Sequence, residues 1–226
     1  MSDLTATELA SRLGVSRRHA VDLLADGAIT GRKLSSGAWL ADADSVLRYE
    51  ASARRGGGRT LDADTAWGLL WELSGLDAAW LTRSTLSRTR GRLRAWTAEE
   101  LARAVSGRTR AHRYRAANAS KVGQELIATG RAAAGQLRIG LMNDTRQVCG
   151  YVRHGDVGEY ARQHFMAAST SGQDVLYENT LPVTYDGEAM PAAVIAADLA
   201  ISTDTRERSG GLRALDELRN TWLAAN

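Results

Sequence analysis

The chain has 226 residues, 44% hydrophobic, and a net charge of +3, which fits a folded protein with one large domain or a small head and a larger body. No apolar run approaches the roughly 20 residues that span a bilayer. The opening Met1-Ser2-Asp3-Leu4 carries no apolar signal segment, so a cytoplasmic location is expected. A single cysteine, Cys149, excludes an internal disulfide and a cysteine zinc cluster.

The charge is uneven. Lys+Arg against Asp+Glu stands at 9 to 7 over residues 1–60, 11 to 6 over 61–121 and 9 to 13 over 122–226. A basic first half and an acidic second half point to a polyanion at one end and a different partner at the other. Only Lys33 and Lys121 among the 29 basic residues are lysine, so the placement of the arginines says more than their number.

In chain order, Thr5 with Glu8 three residues on forms a capping box for a helix over 6–13. Gly14 suits a left-handed helix end, and Ser16 suits the N-cap of a second helix over 17–25 that Asp26-Gly27 breaks. Ala10, Val15, Ala20, Leu23 and Leu24 form a shared apolar face, and two short helices joined this closely make a helix-turn-helix. Residues 28–40, with Ser35-Ser36-Gly37 as the turn, read as a small hairpin, and 42–53 as a helix. Arg54-Arg55-Gly56-Gly57-Gly58-Arg59 is the clearest linker and sets the expected boundary: a head over 1–55, a linker over 56–60 and a body over 61–226.

Residues 61–116 read as mostly helical. One helix carries Trp67, Leu70 and Trp71, a second covers 82–96, and a third covers 98–105 behind a Thr97 cap with Glu100. Beyond 134 the pattern changes to strands over 137–142, 148–152 and 174–183, with a helix over 156–166 between them. Two closing helices follow over 192–201 and 205–224. The expected fold class is α+β, rich in helix.

The second helix opens Ser16-Arg17-Arg18-His19. With Ala20 and Leu24 inward, the helical period turns Arg18 and Asp22 outward. An arginine pair at this position can reach phosphates and guanine edges in a major groove, and Arg32 and Lys33 in the hairpin can meet the backbone. The pattern Glu8-Leu9-Ala10, Leu13-Gly14-Val15-Ser16-Arg17-Arg18, Leu23-Leu24, Gly27, Ile29 and Gly37-x-Trp39-Leu40 resembles the excisionase/MerR-like winged helix-turn-helix family. That resemblance covers about the first quarter of the chain and implies DNA binding. The same fold can instead serve protein contact.

Ten arginines follow at positions 83, 88, 90, 92, 94, 103, 108, 110, 113 and 115, opposed only by Glu99 and Glu100. They read equally as a phosphate-binding cluster or as a solvated helical face. Arg88, Arg92, Arg110 and Arg113 are the further DNA-contact candidates. Trp80 and Trp96, which flank the stretch, are expected in the core.

Catalytic patterns are missing from the sequence: no Walker loop, no nucleophile elbow, no His-Glu-x-x-His and no dinucleotide fingerprint. His154 and His164 bracket a helix with Asp156 and Glu159 without ligand-like convergence, and Cys149 reads as a core residue. Asp198, Asp204, Arg206 and Glu207 read as capping and salt-bridging groups. No catalytic residue, metal or cofactor is expected.

Beyond the linker, three short stretches resemble the AbiEi-like group of bacterial regulators and antitoxins. They are Arg113-Tyr114-Arg115-Ala116, Gly150-Tyr151-Val152, and Pro191-Ala192-x-Val194-x-Ala196-x-Asp198-Leu199 followed by Asp204-x-Arg206. The resemblance spans most of 61–220, although many heads in that group are a differently patterned winged helix. It implies a repressor that binds inverted repeats in its own promoter and counters a nucleotidyltransferase toxin, as the antitoxin of a type IV pair. Two other readings compete: an excisionase-like or architectural DNA-binding protein of a mobile element, and a nucleic-acid-modifying enzyme built on His154, Asp156, Asp198 and Asp204.

Overall fold

The computed structural model describes residues 3–43, 45, 46, 49, 60–169 and 172–226, and it is an α+β protein rich in helix. The chain separates into two compact units, Met1–Gly57 and Gly58–Asn226. The linker residues 56–59 and much of the helix expected over 42–53 lie outside the described residues; within the latter, Ala43, Ser45, Val46 and Tyr49 are helical.

The first unit begins with β1 (Leu4–Thr5), which runs directly into α1 (Ala6–Leu13). The capping box forms as the sequence predicts: Glu8 N–H donates to Thr5 Oγ1 (3.3 Å) and Thr5 N–H to Glu8 Oε2 (2.7 Å). Gly14 closes the helix at φ 68°, a conformation that a side chain with a Cβ disfavours. Helix α2 (Arg17–Ala25) starts at Ser16, whose Oγ accepts from His19 N–H at 3.2 Å.

Strands β2 (Gly31–Lys33) and β3 (Trp39–Ala41) form the hairpin, with Gly37 left-handed at its tip. Strand β1 adds to the far side of β3, a pairing too short for sequence periodicity to reveal, and gives the sheet order β1-β3-β2. Leu9, Ala20, Leu24, Ile29, Ala41 and Val46 fill the core of this unit.

The second unit opens with three helices: α3 (Ala63–Leu73), α4 (Arg83–Ala95) and α5 (Ala98–Val105). Helix α3 is buried from Thr65 onward, as expected of a helix apolar on every side. Strand β4 (Ala111–Arg115) ends the mostly helical stretch, and α6 (Ala119–Gln124) follows it. The remaining elements are β5 (Ile127–Ala128), β6 (Cys149–Tyr151), α7 (Val157–Gln163), β7 (Ala167–Ala168), β8 (Asp174–Tyr177), α8 (Ala192–Ala200) and α9 (Thr205–Ala225). The sheet order is β5-β6-β8-β4-β7, with β6 and β8 parallel and the other neighbours antiparallel.

Three sequence expectations are corrected. Residues 137–142 are not a strand. A 3-10 turn (Ala134–Leu137) leads to Arg138 in the left-handed region (φ 53°), which no strand accommodates. The alternating Ile139 and Leu141 instead approach Gly210 of α9, where an added Cβ would lie 3.0 and 2.9 Å from their methyls. The last strand stops at Tyr177 rather than 183, and the helix expected over 156–166 stops at Gln163, before the left-handed Phe165.

Helix α8 is the centre of the unit. Ala193 through Ala200 are all buried, and the small side chains let other backbone come close. At Gly211 of α9 an added Cβ would lie 2.4 Å from Ala200 N and 2.6 Å from Ala196 O, so only glycine permits this crossing.

Candidate functional site

Helix α2 and the hairpin hold the sequence-predicted site residues of the first unit. Ala20 and Leu24 are buried, and Ser16, Arg17, Arg18, His19 and Asp22 are exposed, as the helical period requires. The first turn of α2 carries two arginines and no acidic residue. Cations at a helix N-terminus oppose the macrodipole and weaken the helix by roughly 0.3–1 kcal/mol each. The arrangement therefore works against helix stability while presenting both guanidinium groups to solvent.

The hairpin treats its two cations differently. Lys33 pairs with Trp39 in register and shares its face of the sheet with Ala41, which is fully buried. On that face, Lys33 and Trp39 join Arg17, Val21 and Thr7 around a shallow groove of about 240 Å³. Arg32 pairs with Leu40 and so turns to the other face, where its Nη2 donates to Asp3 Oδ2 at 2.9 Å. The structure thus places Lys33 on the same groove as Arg17 and on the opposite face of the sheet from Arg32, its neighbour in sequence. Alternation of side chains along a strand is the reason.

The arginines of 83–115 do not form one surface. Arg108 is fully buried. Arg90 pairs with Glu72 at 2.8 Å, and Arg94 lies over the Trp222 ring at 5.3 Å. Among the four further candidates, Arg88 and Arg92 sit on α4 and Arg110 and Arg113 in or beside β4. Arg88 is exposed and donates to Thr85 Oγ1 (3.1 Å), while Arg92 lies over Trp96 at 5.5 Å. Arg113 is half-buried and donates to the Gly172 carbonyl at 3.2 Å; Arg110 is exposed. Trp80 and Trp96 are half-buried against the main core, and Trp80 meets Trp71 edge-on at 5.8 Å.

Sequence reasoning missed the polar centre of the second unit. Arg108 and Asp198 form a wholly buried ion pair, 90 residues apart in sequence. Asp198 also accepts from Thr129 Oγ1 (2.6 Å) and Tyr151 Oη (3.1 Å), and Arg108 donates to Tyr151 Oη (3.0 Å) and Val105 O (3.1 Å). Trp67 lies 5.1 Å from the guanidinium, and Tyr177 stacks on Tyr151 at 4.9 Å. Burial opposes the charge on Arg108, but Asp198 and the tyrosines hold its pKa above the ordinary value.

Cys149 lies in the same buried region, where burial pushes its thiol up to about 12, and burial likewise lifts Tyr151 and Tyr177 well above the phenol range. Neutral, enclosed groups of this kind are packing and hydrogen-bonding parts. Of the polar cluster Asp198, Asp204, Arg206 and Glu207, Asp204 is an N-cap, its Oδ1 accepting from Arg206 and Glu207 N–H, while Asp198 pairs with Arg108 and Glu207 with Arg131 at 3.3 Å.

His154 and His164 do not converge on a common partner. His164 Nε2 meets Glu125 at 3.3 Å, and His154 is exposed. Among the described residues no group of three or more His, Cys, Asp or Glu could hold a metal ion, and no helix is long and apolar enough to cross a membrane. No protein family, curated protein or solved structure matches the chain.

Proposed function

We propose that the first unit is a winged helix-turn-helix head that binds duplex DNA, and that the chain is a sequence-specific transcriptional repressor acting by binding, without turnover. One observation carries the reading: α2 exposes an arginine pair in a first turn that disfavours it, with Lys33 of the hairpin beside Arg17 in one groove. In this reading α2 enters the major groove, Arg18 and Asp22 face base edges, and Arg17 and Lys33 grip the phosphate backbone.

The resemblance of residues 61–220 to the AbiEi-like group extends the proposal to an autoregulating antitoxin encoded beside a nucleotidyltransferase toxin. Arg108 on Asp198, Arg90 on Glu72 and Arg113 on the Gly172 carbonyl are engaged within the second unit, which supports leaving DNA contact to the head and giving the second unit the antitoxic role.

The test is a gel shift of the full chain on its own upstream region, at two salt concentrations, against a scrambled competitor. Specific retention is expected, with affinity falling steeply as salt rises. Arg18→Ala is expected to relax discrimination by about 1–3 kcal/mol at one base pair, and Lys33→Ala to weaken binding evenly on all sequences. Weak, sequence-blind retention would instead make the protein architectural. Equal losses for both variants on every duplex would remove Arg18 as a base reader. Co-expression with the neighbouring gene tests the antitoxin role, which fails if the isolated head neutralises that gene's product.

A further inference from the structure

Asp3 lies one residue before β1, in the row of the sheet beyond Leu4, which is level with Ala41 and Gly31; Arg32 lies one row to the other side. Two rows apart on the same face, they meet when the arginine reaches across β3: Arg32 Nη2 to Asp3 Oδ2 is 2.9 Å. Both side chains remain open to water, 67% exposed for Arg32 and 38% for Asp3. An ion pair so exposed contributes little to folding, because solvent and salt screen it.

The pair has a consequence outside folding. β2 is an edge strand, so cations on either of its faces can extend past the edge of the hairpin toward one strip of polyanion. Arg32 is the cation of that edge that carries its own carboxylate.

We propose that Asp3 is an affinity-limiting residue: it occupies Arg32 until a backbone phosphate displaces it, and so lowers the affinity of the head for DNA of any sequence. The inference rests on the DNA-binding reading of this unit. A phosphate that takes the guanidinium must break the pair and tolerate a carboxylate nearby, so the gain from Arg32 is reduced on every duplex. Base contacts from α2 are untouched. Specific and non-specific complexes share this phosphate contact, so the pair lowers both affinities by the same factor.

The experiment measures fluorescence anisotropy of the full chain on a random 25-base-pair duplex and on the upstream region, across roughly 50–200 mM salt. Asp3→Asn is expected to tighten binding to the random duplex by about 3- to 10-fold and to steepen the slope of log K against log salt by about one. The upstream duplex is expected to gain by about the same factor, leaving the ratio between the two unchanged. Arg32→Ala is expected to weaken both, and Asp3→Asn added to Arg32→Ala is expected to change nothing further, because the carboxylate then has no cation to hold.

If Asp3→Asn leaves random binding unchanged while Arg18→Ala and Lys33→Ala lower affinity, the DNA-binding reading stands and this inference is overturned. It is overturned equally if Asp3→Asn tightens binding to the same degree in the Arg32→Ala background, since a general change of charge then explains the gain. If none of the four substitutions moves binding, both the reading and the inference fall.

Discussion

Helix α2 and the segment 83–115 both carry arginine, but α2 leaves both of its arginines exposed while the segment divides its ten between surface and interior. In the first unit Arg17 and Arg18 stand exposed at a helix start that would be more stable without them. In the second, Arg108 is buried against Asp198, Arg90 lies on Glu72, Arg113 on a backbone carbonyl and Arg94 on an indole. The density of positive charge along the second segment is therefore a poor guide to its surface. An arginine's long, forked side chain can serve either a core or a polyanion, and its partners decide which.

The sharpest way to break the comparison is to remove a partner from the buried pair. Asp198→Ala leaves the Arg108 guanidinium enclosed without a counter-charge and strips Thr129 and Tyr151 of their acceptor. A loss of about 3–5 kcal/mol is expected for the second unit, read from urea unfolding followed by tryptophan fluorescence. Replacing both partners, Arg108→Met with Asp198→Leu, is expected to recover much of that loss, because no charge is then stranded. If Asp198→Ala costs less than about 1 kcal/mol, the pair is not central to the stability of the second unit.

A second effect of the same buried region is its response to alkali. The Cys149 thiol is raised from 9.0 to about 12 in the folded state. A raised group contributes stability in full below its unfolded value, and that contribution is lost as pH climbs toward its folded value. Melting temperature is thus expected to hold steady up to about pH 9 and to fall between 9 and 12. Cys149→Ala is expected to make that fall shallower, with the raised phenols, Tyr151, Tyr160 and Tyr177 among them, supplying what remains. An identical fall in the variant would exclude the thiol as a contributor.

On the exposed side of the comparison the effects are smaller. Ser16→Ala removes the acceptor for His19 N–H and is expected to destabilise the first unit by about 1 kcal/mol. If α2 is the DNA-contacting element, the same change is expected to weaken binding modestly, because it frays the turn that aims Arg17 and Arg18. Native-state hydrogen exchange at α2 amides separates the two consequences. Unchanged protection with weakened binding would make Ser16 itself a contact.

How much of the molecule was legible in the sequence follows the range of each interaction. Local grammar was readable. The two Thr-x-x-Glu boxes form at Thr5 and Thr97, Gly14 turns left-handed, Ser16 caps α2, and the outward face of α2 obeys the helical period. Pairings remote in sequence were not. Strand β1 is two residues long, and Arg108, in the 3-10 turn Ser106–Arg108 after α5, meets Asp198 of α8 only in the folded unit. Nor did the adjacent Arg32 and Lys33 disclose which would meet Asp3 and which would line the groove with Arg17; the register of the three strands decides that.

The smallest expected effect sharpens the comparison most. Arg88 and Arg110 are the exposed members of the four candidates in the second unit, on α4 and beside β4 respectively. If the partners of an arginine decide its role, and the first unit is the one that binds DNA, the exposed arginines of the second unit contribute little to DNA affinity. Arg88→Ala and Arg110→Ala are each expected to change DNA binding by less than about 0.5 kcal/mol, the ordinary range for a surface substitution. They are also expected to lower the salt slope by less than the unit that one phosphate contact supplies. Lys33→Ala in the head, by contrast, is expected to lower that slope by about one. A full unit lost at Arg88 or Arg110 would show that the second unit also lies on the polyanion, and the division of labour between the two units would have to be redrawn.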